Sequence, residues 1–156
     1  MKRASICVIA VALLAGVVSA ADLATKKSLT LAAAKAIAAA AAKEAAANKW
    51  TMVIAIVDDG ANLVYLERMD DTQIGSVNIA IAKAETAVRM KRPSKALEDA
   101  VAGGRNVVMT IPGVLPVEGG VPIVVEGKVI GAIGVSGMSS QQDGLAAAAG
   151  LKVPLK

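Results

Sequence analysis

The sequence predicts an α+β fold: a single domain built on an antiparallel β-sheet flanked by helices, in a profilin- or PAS-like layering. Three observations predict it. Apolar segments of strand length come in pairs, joined by Asp58-Asp59-Gly60-Ala61-Asn62 in one case and Glu126-Gly127 in the other. These pairs alternate with helical segments in the order helix, two strands, helices, two strands, helix, which suits hairpins better than a βαβ crossover. After removal of a leader, about 136 residues remain, enough for one compact core.

The leader is read from the first 20 residues. Lys2 and Arg3 precede an apolar run, Ile6 to Val18, and Val18-Ser19-Ala20 supplies small residues for cleavage. The run falls short of the roughly 20 residues needed to cross a bilayer. We therefore expect residues 1–20 to be a cleaved signal peptide, 21–28 a short tail, 29–151 the domain and 152–156 a second tail. The expected destination is the periplasm or the extracellular medium. Cleavage removes Cys7, the one cysteine, so packing alone must hold the domain in an oxidising compartment.

Thr30 is placed to cap a helix over Leu31–Asn48, whose alanines give it high intrinsic propensity. Residues 51–57 form a continuous apolar strand, and 63–69 return as its hairpin partner after the Asp/Gly/Asn turn. A loop over 70–75 leads to a helix from Ser76 to about Lys91, with Ser76 as cap and Pro93 beyond its end. Ser94 is expected to cap a short helix that stops at Gly103-Gly104. The segment 105–118, with Pro112, Gly113 and Pro116, is read as irregular. Strands follow at 121–125 and 128–135, then a helix over about 140–149. Gly131 and Gly134 lie inside the last strand. Glycine weakens a strand, so these two predict close approach of a backbone or a ligand.

The helix 76–91 carries more apolar surface than one contact requires. Val77, Ile81, Ala84 and Val88 form one stripe, and Asn78, Glu85 and Arg89 a wet face. Ile79, Lys83, Thr86 and Met90 form a third, mixed stripe. Two readings of it stand: a subunit interface or pocket wall with Lys83 and Thr86 as its polar groups, or a lysine stem laid over Ile79 and Met90 with its amine in water.

Composition excludes several chemistries. The chain has no histidine, which removes imidazole acid–base catalysis, the Ser-His-Asp triad and His-ligated metals; with Cys7 cleaved, no zinc site is expected. Without Lys2 and Arg3 the basic residues number 15 against 13 acidic, a net +2 with no basic run, so no nucleic-acid partner is expected. Trp50 and Tyr65 are the only aromatic residues. Carboxylates and cations remain as candidates, among them Asp58, Asp59, Arg68, Asp70, Lys83, Arg89, Arg105 and Asp143. Asp58-Asp59 is otherwise a turn, Asp143 otherwise a first-turn helix charge, and Arg68–Asp70 otherwise a local ion pair.

An ordered set of segments then resembles a known family. The set comprises Leu29-Thr30-Leu31, Val57-Asp58-Asp59-Gly60-Ala61-Asn62-Leu63, Arg68-Met69-Asp70 and Ala82-Lys83-Ala84-Glu85-Thr86-Ala87. It continues with Gly119-Gly120-Val121-Pro122-Ile123, Gly131-Ala132-Ile133-Gly134-Val135-Ser136-Gly137 and Gln142-Asp143. Together they are similar to the GlcG/HbpS or haem-degrading domain family, which includes the C-terminal domain of PduO-type proteins. The resemblance implies an antiparallel sheet with flanking helices, a homo-oligomer, and haem or another tetrapyrrole as ligand. It also implies a ligand-binding set drawn from Arg68, Asp70, Lys83, Thr86, Arg89, Arg105, Gly119, Gly120, Ser136, Gly137 and Asp143.

Within that resemblance three functional readings are open. In the first, an exported accessory protein binds haem at a shallow surface site, with Lys83, Arg89 or Arg105 on the propionates. Iron ligation then falls to Tyr65, a methionine, a hydroxyl such as that of Thr86, or a carboxylate. In the second, Gly119-Gly120 and Ser136-Gly137 backbone, with Lys83 or Arg68, holds a small organic acid. In the third, Lys83 is the base or Schiff-base former of an enzyme acting on a small acid or carbonyl compound.

Overall fold

A computed structural model describes residues 21–155; the expected signal peptide and Cys7 lie outside them. The elements are α1 (Leu31–Ala47), β1 (Val53–Asp58), β2 (Leu63–Arg68), α2 (Ser76–Met90), α3 (Ser94–Ala102), β3 (Gly120–Val125), β4 (Lys128–Ser136) and α4 (Ser140–Gly150). A 3-10 turn at Asn106–Thr110 lies within the segment read as irregular. The four strands form one antiparallel sheet in the order β2-β1-β4-β3, so the expected α+β architecture is the observed one.

Strand alternation assigns each residue to one of two cores. Ile54, Ile56, Ile133 and Val135 face α1 and α4, where Ile37, Ala38, Ala41, Ala146 and Ala147 complete the larger core. Val53, Ala55, Val57 and Ala132 face the other way, onto Ala80, Ala84, Ala87 and Val88 of α2. The sheet is thus the middle of three layers. Residues 151–155 follow α4 as a tail whose Val153 and Leu155 pack on the larger core.

The α2 face is built of small residues because the helix backbone rests almost directly on the sheet. A Cβ at Gly134 would stand 2.0 Å from the Ala80 carbonyl oxygen, and one at Gly120 would stand 2.1 Å from that of Lys83. The approach predicted from the strand glycines is therefore that of a protein backbone, and no ligand is needed to explain it.

Local capping follows the sequence at two helices and departs from it at two. Thr30 Oγ1 accepts from Ala33 N at 3.2 Å, and Ser139 forms a reciprocal capping box with Gln142. Ser76 and Ser94 do not cap. Gly75 and Pro93 hold the cap positions, and both serines are buried with their hydroxyls turned to other segments. Ser136 Oγ donates to Ser76 Oγ at 3.2 Å. Ser94 Oγ lies 2.7 Å from Val117 O and accepts from Gly120 N at 2.9 Å. Ser76 Oγ also accepts from Gln73 Nε2 at 3.0 Å, so it joins a local to a tertiary partner, whereas Ser94 serves distant segments.

Candidate functional site

The sheet end formed by Arg68, Val53 and Ser136 collects most of the residues selected from the sequence, since Val53 pairs with both of the others. Lys83 reaches this end from α2. It is 1% exposed, and its Nζ donates to Asp143 Oδ2 at 2.7 Å and to Val135 O at 3.1 Å. Asp143, on the first turn of α4, is buried too, and its Oδ1 accepts from Met138 N at 3.1 Å. Burial pushes the Asp143 carboxyl above its ordinary value, opposed by the ammonium of Lys83. Gly119 closes the site: its φ is +126°, and a Cβ there would meet Val135 O at 2.6 Å and Lys83 Nζ at 2.9 Å.

This arrangement corrects the roles expected of Lys83 and Thr86 in the mixed stripe on α2, while Ile79 of that stripe stays exposed. The Lys83 amine does not reach water, and the stripe's polar groups meet their own chain. Thr86 is fully buried, and its Oγ1 accepts from Leu115 N at 2.8 Å. The doubly apolar character of α2 comes from packing on the sheet with one face and under residues 115–120 with the next. The ion pair ties α2 to α4 across 60 residues of sequence.

The backbone once read as a ligand cradle is also engaged. Gly119 O accepts from Val135 N at 2.9 Å, and Gly120 N goes to Ser94. A Cβ at Gly137 would stand 2.2 Å from Thr51 O. Ser136 is bonded to Ser76. Lys83 Nζ is occupied by Asp143 and Val135 O, which weighs against its use on a small acid or as a Schiff base and leaves Arg68 as the cation of the small-acid reading. Arg68, the last residue of β2, and Asp70 in the loop after it are exposed, and no ion pair joins them among the described residues.

Glu118 borders this cluster and was not selected from the sequence. Its N donates to a carboxylate oxygen of Glu98, and its own Oε2 is buried without a hydrogen-bond partner among the described residues. Burial raises its pKa. A Cβ at Gly144 would sit 2.4 Å from its Oε1, so a larger residue there would displace the Glu118 side chain.

A second region has the opposite character. Between Arg105 and Gly113 the chain exposes Val107 (61%), Met109 (57%) and Ile111 (38%), while Val108 alone anchors the 3-10 turn inward. Arg105 is exposed at its start. At its far end Gly113 lies against Arg89: a Cβ there would be 3.1 Å from Nη1 of the guanidinium, which also donates to Glu85 Oε2 at 3.0 Å. An apolar surface in water is thus bracketed along the chain by two cations. The signal was present in Asn106-Val107-Val108-Met109-Thr110-Ile111, an apolar run in a segment read as irregular, but only the flanking Arg105 and the distant Arg89 were selected as candidates.

The remaining candidate iron ligands separate clearly. Tyr65 O–H donates to Glu67 Oε2 at 3.1 Å, and this bond raises its pKa, disfavouring the phenolate that iron requires. Thr86 is buried and bonded. Met109 is open to solvent.

Comparison with known proteins gives a consistent answer. Residues 29–152 match the family described as haem degrading protein HbpS-like. Protein GlcG of Escherichia coli strain K12 is 45% identical over 93 residues, covering 60% of this chain and 69% of GlcG. The crystal structure of Klebsiella pneumoniae protein ORFY superposes with a TM-score of 0.78 at 32% identity, covering 86% of this chain and 96% of ORFY. A double mutant of Streptomyces reticuli HbpS gives 0.76 at 33% identity, with 88% and 96% covered. A PduOC:heme complex gives 0.75 at 29% identity, with 81% and 94% covered.

Proposed function

Since this chain belongs to the HbpS-like family of haem-degrading proteins, we propose that it is an exported, homo-oligomeric accessory protein that binds haem or a related tetrapyrrole at the surface between Arg105 and Arg89. The observation that carries the reading is the exposed apolar run Val107, Met109 and Ile111 with a guanidinium at each end. A tetrapyrrole has the same two-part chemistry: a flat apolar ring and a pair of carboxylates. Apolar contact with the ring and charge-assisted bonds to the propionates match these residues. The heme complex of the PduOC relative supports the ligand class.

The residues fit the group in a particular way. Arg105 and Arg89 would take the propionates, and Val107 and Ile111 would shield the ring. Lys83, the third cation considered from sequence, is withdrawn from this role by its ion pair with Asp143. Bound iron would supply redox and oxygen chemistry; the chain's contribution is to hold, orient and partly shield the ring.

The test is a haemin titration of residues 21–156, followed at the Soret band, against an Arg89→Ala/Arg105→Ala variant. We expect saturable binding weakened about tenfold in the variant, or roughly 1.4 kcal/mol. A flat titration of the wild-type protein overturns the reading. Export is tested separately, by the N-terminal residue of protein recovered outside the cytoplasm, which should be Ala21 or Asp22. The oligomer is tested by light scattering across a concentration series, and a monomer throughout rejects it.

A further inference from the structure

We propose that Met109 supplies a thioether ligand to the tetrapyrrole iron, so that the protein favours ferrous over ferric haem. The inference rests on the tetrapyrrole reading above and adds the donor atom and its redox consequence. It begins from elimination in the composition. The chain has no histidine, and its only cysteine is Cys7 in the leader. Imidazole and thiolate, the usual protein ligands of haem iron, are therefore absent from the domain.

Oxygen donors are no better placed. Tyr65 is bonded to Glu67 with its pKa raised, and Thr86 is buried under Leu115. Thr110, next to Met109, turns its hydroxyl back to Val107 O at 2.8 Å. That leaves sulfur. Met52 is fully buried, and Met69 and Met90 are partly buried. Met109 and Met138 are the exposed methionines among the described residues, at 57% and 43%. Only Met109 lies in the apolar run between the two arginines. Met138 precedes α4, beside Asp143.

The chemistry of the donor sets the prediction. A thioether is neutral, soft and polarizable, and it stabilises the reduced metal over the oxidised one. Methionine ligation accordingly raises the reduction potential of haem iron. The remainder of the surface, apolar ring contact and propionate pairing, binds both oxidation states alike. The preference is thus assigned to one atom.

The experiment compares wild type, Met109→Leu and Met138→Leu with haemin, dithionite-reduced haem and metal-free protoporphyrin IX. Leucine keeps the apolar volume and removes the sulfur. We expect all three proteins to bind protoporphyrin alike and ferric haem within about twofold of one another. Met109→Leu should change the spectrum of the ferrous complex and lose about tenfold in ferrous affinity, with a fall of about 59 mV in the potential of the bound haem. Met138→Leu should match wild type. If Met109→Leu binds haem with the spectrum and potential of wild type, the Met109 assignment falls and the tetrapyrrole reading stands. If the loss follows Met138→Leu, the ligand is misassigned. If wild type binds neither haemin nor protoporphyrin, both fall together.

Discussion

The Lys83–Asp143 pair and the run from Val107 to Ile111 invert the usual placement of residue types. One is charged and buried, the other apolar and exposed. The buried pair satisfies its own bonding, with Nζ shared between Asp143 and Val135 O and the second carboxylate oxygen on Met138 N. Both side chains are buried and bonded to each other, so the pair fastens α2 to α4. In the exposed run the side chains of Val107, Met109 and Ile111 stay largely in water, and Val108 alone is buried. The proposed binding region is therefore the one with unspent apolar surface, not the one with buried charge.

The largest expected effect breaks the first region. Lys83→Met leaves the Asp143 carboxylate buried and unpaired, and should cost about 3–5 kcal/mol in urea unfolding. Adding Asp143→Leu should recover a large part of that loss, giving a coupling of about 2 kcal/mol in the double-mutant cycle. An additive double mutant would mean that the two side chains act independently.

Gly134→Ala comes next. The new methyl would meet Ala80 O, so α2 must lift from the sheet, at a cost of about 1–3 kcal/mol or more. Ser94→Ala should cost about 1–3 kcal/mol, because Gly120 N loses its partner in a buried setting. Both are read from the denaturation midpoint. A neutral result at Gly134 would show that the helix does not rest on the strand.

The smallest effects sharpen the contrast. Val107→Ser with Ile111→Ser should leave stability within about 0.5 kcal/mol of wild type while weakening haemin binding. Stability loss without loss of binding would reverse the roles of the two regions. Glu118 offers a pH test. Burial raises its carboxyl above the ordinary 4.5, so the folded state holds that proton more tightly than the unfolded state. Its contribution to stability is present below pH 4.5 and is lost as pH rises through the folded value. Glu118→Gln should therefore match wild type in acid and gain on it toward neutrality, by under about 1 kcal/mol. A gain that grows as pH falls would contradict the burial argument.

Much of the fold was legible because its determinants are local. Thr30 and Ser139 cap as their neighbours dictate. The turn at Asp58 forms because its Oδ1 accepts from both Gly60 N and Asn62 N at 2.8 Å, all within five residues. Ser76 and Ser94 were misread for the complementary reason. Their partners, Ser136 and the 117–120 segment, lie 60 and 23–26 residues away, and a buried hydroxyl goes to the partner that would otherwise stay unsatisfied.

The candidate site divides the same way. That Lys83 and Asp143 belonged to one site was readable from the resemblance, but their being spent on each other was not. An amine four methylenes from the backbone serves a ligand, water or a carboxylate equally well on a helical wheel. Arg105 and Arg89 were readable as cations; the apolar surface between them was not, because residues 105–118 carry no periodicity from which to infer burial.

By itself the sequence determined the α+β class, the hairpins, the helix count and the absence of imidazole and thiol donors from the domain. These follow from alternation, turn chemistry and composition, which are properties of short windows or of the whole list of residues. Tertiary structure alone decided which polar groups are consumed inside and which apolar ones are left outside. Those outcomes depend on how closely α2 settles onto Gly120 and Gly134, a contact between segments that only the folded chain brings together.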